Sequence, residues 1–416
     1  MDESAAIRSA VSPDVTNPRG YARDRALQER FDQAAARLLE RDGWVDPHNG
    51  STRELVADLA LEGGGVKGIG LAGAVLVLDE AGYRFRGVAG TSAGAIAATL
   101  IAALSQAGRP MTDLKRHLDA LEFTSFMPEG KLHHFLDHLG GQAGQILANA
   151  AILSQQMGIY TGDYLRVWLE PILEDLGVRT FKDLALPPDP GGSVPKGRSY
   201  RLLVHVSDIT RGQLVRLPWD YCEYGMDPDD ADVVGAVRAS MSIPFFFEPV
   251  LVDAQPAKVE IPTPDGRTIT RTREAGTVTW VDGGLLRNFP IAAFDRADGE
   301  APRWPTIGIK LSSLQTEFPS TTGCGTALGV GIHCLRTMMN EWDSYAVDEG
   351  TAGRTIFVDN AGLKATDFDL TPEQQNQLFL NGVAAATEFV IGMAAAGGVP
   401  RSASQARALI RSRRQL

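Results

Sequence analysis

The chain has 416 residues, a formal net charge of −11, 44% hydrophobic residues, 22% charged residues and three cysteines. The hydrophobic content is enough for a sizeable core, and the acidic balance argues against a nucleic-acid binder, because phosphate contacts need clustered lysine and arginine. The odd number and irregular spacing of Cys222, Cys324 and Cys334 predict neither a disulfide framework nor a metal site.

The two ends of the chain differ from its centre. The start lacks the basic and apolar segments of a signal peptide, and the longest apolar run, residues 93–104, is too short to span a bilayer, so we expect a cytoplasmic protein. Residues 1–52 are predicted to form a helical extension, because apolar residues recur at helical spacing over 24–41. Residues 396–416 form a basic tail, which is typical of a solvated helix end; a membrane or partner contact is the alternative.

A glycine loop opens the central part of the chain. It follows an apolar strand pattern and precedes a helical one. Consecutive glycines leave backbone N–H groups unhindered, so several donors can converge on one anion. We interpret the loop as an oxyanion hole formed by Gly63, Gly64, Gly65, Val66, Lys67 and Gly68.

The same glycine spacing also fits a dinucleotide-binding loop. That motif needs an acidic residue at the end of the next strand to hold the ribose. Here the next strand ends in Val88-Ala89-Gly90 and runs directly into a second turn. A Walker phosphate loop does not fit, because Ile69 follows the last glycine. Dinucleotide binding therefore stays the weaker alternative.

The second turn, at residues 90–94, has the pattern of a nucleophile elbow. Gly90 and Gly94 allow a tight bend, and the turn holds the hydroxyl of Ser92 at the N-terminus of a helix, where the helix dipole favours negative charge. A turn whose serine merely caps the helix is the alternative. The strand–turn–helix context favours a nucleophile, and the βαβα order implies parallel strands.

The remaining elements complete one α/β domain over residues 53–395. Residues 111–177 are predicted to be mainly helical and to flank the site, and strands follow at 200–206 and 213–217, with Asp208 in the turn between them. Residues 250–280 indicate a strand, a hairpin and a strand, and the hairpin, at about 254–276, is interpreted as a surface insertion. A strand at 306–311 and helices to the end are also predicted.

Asp282 is the candidate base. It ends an apolar strand before Gly283 and Gly284, so we expect its carboxylate to be exposed at a carboxyl edge, where open α/β sheets place their sites. Desolvation would raise its pKa enough for it to deprotonate Ser92. An Asp-Gly turn without chemistry is one alternative. Another is a Ser92, Asp282, His333 triad, although α/β-hydrolases supply their oxyanion loop well upstream of the elbow.

These motifs together resemble the patatin-like phospholipase family, which uses a Ser–Asp dyad. The resemblance runs from about residue 55 to residue 311, and residues 238–249 look like the family's Ala-Ser…Pro…Phe…Pro segment. It implies a three-layer α/β/α fold with a central, mostly parallel sheet. It also implies that Ser92 is the nucleophile, that Asp282 is the proton acceptor, and that Lys67 occupies the basic position of the oxyanion loop.

The function implied by the resemblance is that of a lipid acyl hydrolase, of the phospholipase A or lysophospholipase type, which works through an acyl-enzyme. No metal or organic cofactor is expected. The expected partner is a lipid or other acyl ester, with transient contact to a membrane surface. An acyltransferase with the same dyad and a non-catalytic regulatory protein are the alternatives.

Overall fold

The computed structural model describes residues 3–45, 53–126, 158–187, 199–263, 267–296, 301–311, 330, 337, 349–363 and 369–413. Strands and helices alternate through the first half of the chain. In chain order the strands are β1 (Val11–Pro13), β2 (Tyr21–Arg23), β3 (Trp44–Val45), β4 (Arg53–Leu61), β5 (Tyr83–Gly90), β6 (Gly158–Tyr160), β7 (Leu202–Asp208), β8 (Gln213–Leu217), β9 (Phe245–Phe247), β10 (Val250–Ala254), β11 (Ala257–Pro262), β12 (Thr268–Arg273), β13 (Gly276–Asp282), β14 (Thr306–Lys310) and β15 (Thr355–Phe357).

The helices follow the connections between these strands. Within the described ranges, four short 3-10 helices occupy Gly65–Gly68, Phe123–Phe126, Phe181–Leu184 and Tyr221–Tyr224. The described α-helices are α1 (Glu3–Ser9), α2 (Arg25–Asp42), α3 (Ile69–Glu80), α4 (Ala93–Ala107), α5 (Asp113–Asp119), α6 (Asp163–Asp175), α7 (Val233–Ser240), α8 (Gly284–Arg287), α9 (Glu349–Ala352), α10 (Pro372–Ala396) and α11 (Ala403–Arg413).

A nine-stranded mixed sheet forms the centre of the molecule. Its main path runs β10-β13-β7-β5-β4-β14-β15, with β3 on β4 and β8 on β7. The strands from β7 to β15 along this path pair in parallel. Strand β13 is antiparallel to β7, and β10 is antiparallel to β13. Helices flank the sheet, so the predicted α/β fold with a mostly parallel central sheet is confirmed.

Helices α3 and α4 carry much of the core. Nearly every side chain of α3 is buried, because sheet residues lie on one side and α10 lies on the other. The contact with α10 depends on small residues: a Cβ on Gly73 would lie 2.1 Å from the carbonyl oxygen of Phe379, and one on Gly382 would lie 2.1 Å from that of Gly70. Two glycines facing each other across the contact therefore let the helices approach closely.

The N-terminal segment packs into the same hydrophobic core. Ile7 and Phe31 are among its fully buried side chains. The buried guanidinium of Arg23 forms an ion pair with Glu80 at 3.0 Å and donates to the hydroxyl of Thr387 on α10 at 3.0 Å. These contacts join the start of the chain to a helix that lies more than 350 residues later in the sequence.

Helix α10 has 25 residues and is long and apolar enough to cross a membrane. In the folded chain it serves as a core helix, because 61% of its apolar window is buried inside the protein. It begins with a capping box in which the side chain of Thr371 accepts from the N–H of Gln374. No other described helix meets the same criteria of length and hydropathy.

The predicted elements near the candidate site are present with small differences in their ends. The predicted hairpin is β11–β12, and its turn at 264–266 lies outside the described residues, as do His333 and all of 127–157. The carboxylate of Asp208 accepts from the N–H groups of Thr210 and Arg211, as expected for a turn residue. Strand β15 was not predicted, because its three residues give too short a pattern.

Candidate active site

Ser92 lies in the turn between β5 and α4, with a backbone φ of 54° and ψ of −125°. A positive φ is uncommon for a residue with a side chain, and such strain is often stored at functional sites. A Cβ on Gly94 would lie 2.4 Å from the carbonyl oxygen of Leu61, and one on Gly90 would lie 2.1 Å from that of Gly94. The two glycines therefore allow α4 to start directly against the strand ends.

The glycine loop lies beside the serine. A Cβ on Gly63 would be only 3.1 Å from the Cβ of Ser92. Among the described residues, the N–H groups of Gly64, Gly65 and Val66 donate to no other group. Unoccupied backbone donors next to a nucleophile are what a developing oxyanion requires.

The rest of the loop is anchored rather than open. A Cβ on Gly68 would lie 3.4 Å from that of Ala93, so the loop packs on the start of α4. The Nζ of Lys67 donates to the carbonyl oxygen of Leu311 at 3.5 Å. The side chain of Lys67 therefore links the loop to the end of the β14 region, and the donors available for an anion are the backbone groups.

Asp282 is fully buried at the end of β13. Burial raises the pKa of Asp282 to about 7, and hydrogen bonds from the Gly284 N–H group and the Ser92 side chain keep it from rising further. Its Oδ1 accepts from the Gly284 N–H at 2.7 Å. Its Oδ2 has no partner of good hydrogen-bond geometry in the described part of the chain. The serine is thus close enough to influence the carboxyl, and catalytic contacts of this kind often tighten only when substrate binds.

The surroundings of Asp282 differ from the sequence-based expectation. Asp282 lies at the carboxyl edge of the parallel strands, but its own strand is antiparallel to β7 and its carboxylate is buried rather than exposed. The strand register explains the meeting with the serine. Asp282 is opposite Val206, and Val204 is opposite Gly90, two residues before Ser92. The end of β13 therefore reaches the level of the elbow from the opposite direction.

Ser240 connects the elbow to the neighbouring strand, a role that sequence reasoning missed. Its Oγ accepts from the N–H of Ser92 at 2.9 Å, and its hydroxyl donates to the carbonyl oxygen of His205 at 2.7 Å. Two residues on, the carbonyl oxygen of Ser242 accepts from the N–H of Asp282 at 2.9 Å. One segment therefore holds both candidate catalytic residues. Its signal in the sequence was the Ala-Ser…Pro segment, which indicated the family but no contact.

Two further contacts fix the glycine loop. The carbonyl oxygen of Asn288 accepts from the N–H of Gly63 at 3.1 Å, and its Nδ2 donates back to the Gly63 carbonyl oxygen at 3.0 Å. Glu62, immediately before the loop, forms a buried ion pair with Lys310 and accepts from the N–H of Leu311 at 2.6 Å. The loop is therefore clamped on both sides before any substrate arrives.

Neither of the two described histidines lies where it could act as a base together with Asp282. The groups that change the pKa of Asp282, besides burial, are Gly284 and Ser92. His205 is on β7 next to Val206, the residue opposite Asp282, so its side chain points to the other face of the sheet. Burial lowers the pKa of His205 to about 3, which keeps the imidazole neutral. The expected alternative base, His333, lies outside the described residues.

The described residues contain no group of three or more His, Cys, Asp or Glu side chains that could hold a metal ion. A family model described as patatin-like phospholipase matches residues 59–295, which include the glycine loop, the elbow and Asp282. The chain belongs to the patatin-like phospholipase family. Membership supports a lipid ester hydrolase at the level of the family.

Relatives of this patatin-like chain were also found among known proteins. The uncharacterized protein YqhO of Bacillus subtilis is 34% identical over 323 residues, which cover 78% of this chain and 93% of YqhO. Among solved structures, VipD from Legionella pneumophila matches with 17% identity and a TM-score of 0.39. The heterodimeric ExoU–SpcU complex from the type III secretion system of Pseudomonas aeruginosa matches with 18% identity and a TM-score of 0.37. The chain spans 66% of the VipD chain and 52% of the matched chain of the complex.

Proposed function

We propose that this protein hydrolyses carboxylic esters of lipids through a dyad of Ser92 and Asp282. The observation that carries the proposal is the buried carboxyl of Asp282, with a pKa of about 7, beside a strained serine, and its Oδ2 has no well-formed partner among the described residues. A carboxyl with this pKa is largely able to accept a proton near neutral pH, which an ordinary aspartate does poorly.

In the first half of the proposed cycle, Ser92 Oγ attacks the ester carbonyl carbon while its proton passes to Asp282. The carbonyl oxygen becomes an oxyanion that accepts from the N–H groups of Gly64, Gly65 and Val66. Collapse of the tetrahedral intermediate breaks the bond to the alcohol, which takes the proton from Asp282. The product of this half is an acyl ester on Ser92.

Water completes the cycle in the second half. The oxygen of a water molecule attacks the acyl carbon while Asp282 takes a proton from that water. The same backbone donors hold the second oxyanion. The bond to Ser92 then breaks, and its Oγ recovers the proton from Asp282. If an alcohol replaces the water, the same residues perform an acyl transfer, so the acceptor alone separates the two activities.

The test is hydrolysis of a chain-length series of p-nitrophenyl esters by the wild type, Ser92→Ala and Asp282→Asn. We expect turnover to be lost in both variants, and a fluorophosphonate to label the wild type but not Ser92→Ala. Substantial turnover in a pure, folded Ser92→Ala sample would exclude the mechanism. No label on the wild type would favour the non-catalytic regulatory protein.

His333→Ala separates the dyad from a triad. We expect this variant to retain most of its ester turnover, because in the proposed mechanism Asp282 takes the proton of Ser92 without a histidine between them. A loss of several orders of magnitude in a folded His333→Ala protein would instead indicate a Ser–His–Asp hydrolase. Both mechanisms predict that Asp282→Asn loses its turnover, so the histidine variant is the one that decides between them.

A further inference from the structure

The hairpin β11–β12 projects from the edge of the sheet that carries Ser92. Strand β13 is antiparallel to β7, and it starts at Gly276, so its first residue lies roughly 20 Å farther along the sheet than Asp282, at about 3.3 Å per residue. This direction is also that in which β5 runs toward Ser92, because β5 and β7 are parallel. The hairpin that precedes Gly276 therefore stands beyond the catalytic edge and not behind it.

On one face of this hairpin the residues that β11 contributes are all apolar, and the described residues cover them at the base of the hairpin more than farther out. Ala257 and Val259 are 7% and 6% exposed, and β11 packs there on the 3-10 helix Tyr221–Tyr224. Farther out, Ile261 and Ile269 are directly opposite each other in the register, and they are 41% and 39% exposed. Two isoleucines that form a cross-strand pair in water lose the burial that normally stabilises such a pair.

The charge of the hairpin is opposite in sign to that of the whole chain. Residues 257–273 contain four basic side chains (Lys258, Arg267, Arg271, Arg273) and two acidic ones (Glu260, Asp265), a net charge of +2, whereas the whole chain carries −11. Arg271 is exposed on the same face as the isoleucines, and Lys258 is exposed on the other face. Apolar side chains flanked by exposed basic ones are typical of segments that lie in an anionic lipid interface.

We infer that this hairpin docks on the surface of an anionic lipid bilayer, through Ile261 and Ile269 near its turn and through the exposed Lys258 and Arg271 closer to its base. The inference rests on the proposed function and makes its substrate lipid that is already assembled in a membrane. Docking would place the two isoleucines at the level of the acyl chains and the basic groups at the level of the phosphates. The catalytic edge would then face the bilayer, so that an ester reaches Ser92 without crossing bulk water.

The test measures binding to vesicles of phosphatidylcholine with phosphatidylglycerol, in a Ser92→Ala background so that turnover does not alter the lipid. The variant carries Ile261→Ser and Ile269→Ser. Val167→Ser is the matched control, because Val167 is a 71% exposed apolar residue on α6. We expect about tenfold weaker vesicle binding for the double variant and unchanged binding for the control.

The same changes in the protein with Ser92 intact separate docking from chemistry. We expect hydrolysis of vesicle lipid to fall about tenfold and turnover of soluble p-nitrophenyl butyrate to stay unchanged. Equal vesicle binding by the double variant and the control overturns the inference, and so does a loss of soluble-ester turnover in the double variant. Self-association that the double variant abolishes also overturns it, because a second copy would then cover the isoleucines.

Failure of the proposed function gives a different result. A wild type that hydrolyses no ester, yet binds vesicles through Ile261 and Ile269, would refute the hydrolase proposal and leave the docking surface in place. A wild type that hydrolyses soluble esters but does not bind vesicles would refute the docking surface alone.

Discussion

Two aspartates of the same sheet share one property and differ in another. Asp58 on β4 and Asp282 at the end of β13 are both buried, and burial raises the pKa of each to about 7. The carboxyl of Asp58 accepts from the N–H of Gly87 at 2.8 Å, and the charge of Arg86 and the side chain of Trp304 also lower its pKa.

Asp282 instead keeps a buried oxygen, close to a serine, for which the described part of the chain offers no well-formed partner. The comparison shows that a raised pKa reports burial and does not by itself identify a base. An acceptor becomes a candidate base when one of its oxygens is unoccupied and a nucleophile lies within reach.

Ester turnover should separate the two aspartates most strongly. We expect Asp282→Asn to lower kcat/KM roughly 10²–10⁴-fold, because the proton of Ser92 then has no acceptor, and Asp58→Asn to change it less than about threefold. Steady-state kinetics on a soluble ester, with circular dichroism to check the fold, measures both. Equal losses in the two variants would mean that Asp282 acts through structure rather than as a base.

Both aspartates should make the free energy of unfolding depend on pH in the same way. A folded-state pKa of about 7 lies above the ordinary value of an aspartate, so the folded state holds the proton more tightly and the wild type loses stability as the pH rises from about 4 to 7. We expect either asparagine variant to gain about 2–3 kcal/mol relative to the wild type between pH 5 and pH 8. Denaturant unfolding at the two pH values measures this, and a pH-independent difference would contradict the shared burial.

The pH dependence of turnover tests which carboxyl is used. Because the proposed base must be deprotonated, kcat/KM should rise about tenfold per pH unit below 7 and level off above it. Asp58→Asn should keep this profile, although Asp58 titrates in the same range. If the pH profile of Asp58→Asn is flat, the carboxyl whose titration controls turnover is Asp58 and not Asp282.

A smaller loss of turnover than that of Asp282→Asn is expected when the positioning of Ser92 is disturbed. Ser240→Ala removes the acceptor for the N–H of Ser92, so we expect kcat to fall about tenfold with little change in KM, and the rate of fluorophosphonate labelling to fall in parallel. Ser240→Thr keeps the hydroxyl and should restore most of the activity. If threonine is no better than alanine, the hydrogen bond to the elbow is not the reason for the loss.

The sequence was sufficient for the parts of the site that are local. The glycine loop and the elbow lie within one βαβα stretch. The spacing of Gly63, Gly90 and Gly94 indicates where this stretch needs residues without a side chain. What it could not show is pairing between distant segments. Nothing in residues 276–282 indicates an antiparallel partner, so the direction of β13 was not predicted, and the carboxylate of Asp282 was wrongly expected to be exposed.

The contact of Ser240 with Ser92 and the buried pair of Glu62 and Lys310 were missed for the same reason. Each joins residues that are more than 140 positions apart, and their chemistry is visible only when the strands are in register. A buried lysine after a strand gives no local signal, because the same pattern is typical of an exposed strand end. The extent of the hairpin was predicted, whereas the direction in which it projects depends on the pairing of β13.

The contacts between the first and last described parts of the chain determine when folding can be completed during synthesis. The hydroxyl of Ser4 donates to the carboxylate of Glu388 at 2.7 Å, and Arg23 reaches Thr387 on the same helix. Helices α1 and α2 both pack on α10. A nascent chain therefore has its first helices in water until residues 372–396 leave the ribosome, and at about 5–20 residues per second this takes at least about 15 s. During that interval the apolar side chains of α2 that the helix later covers stay exposed to solvent.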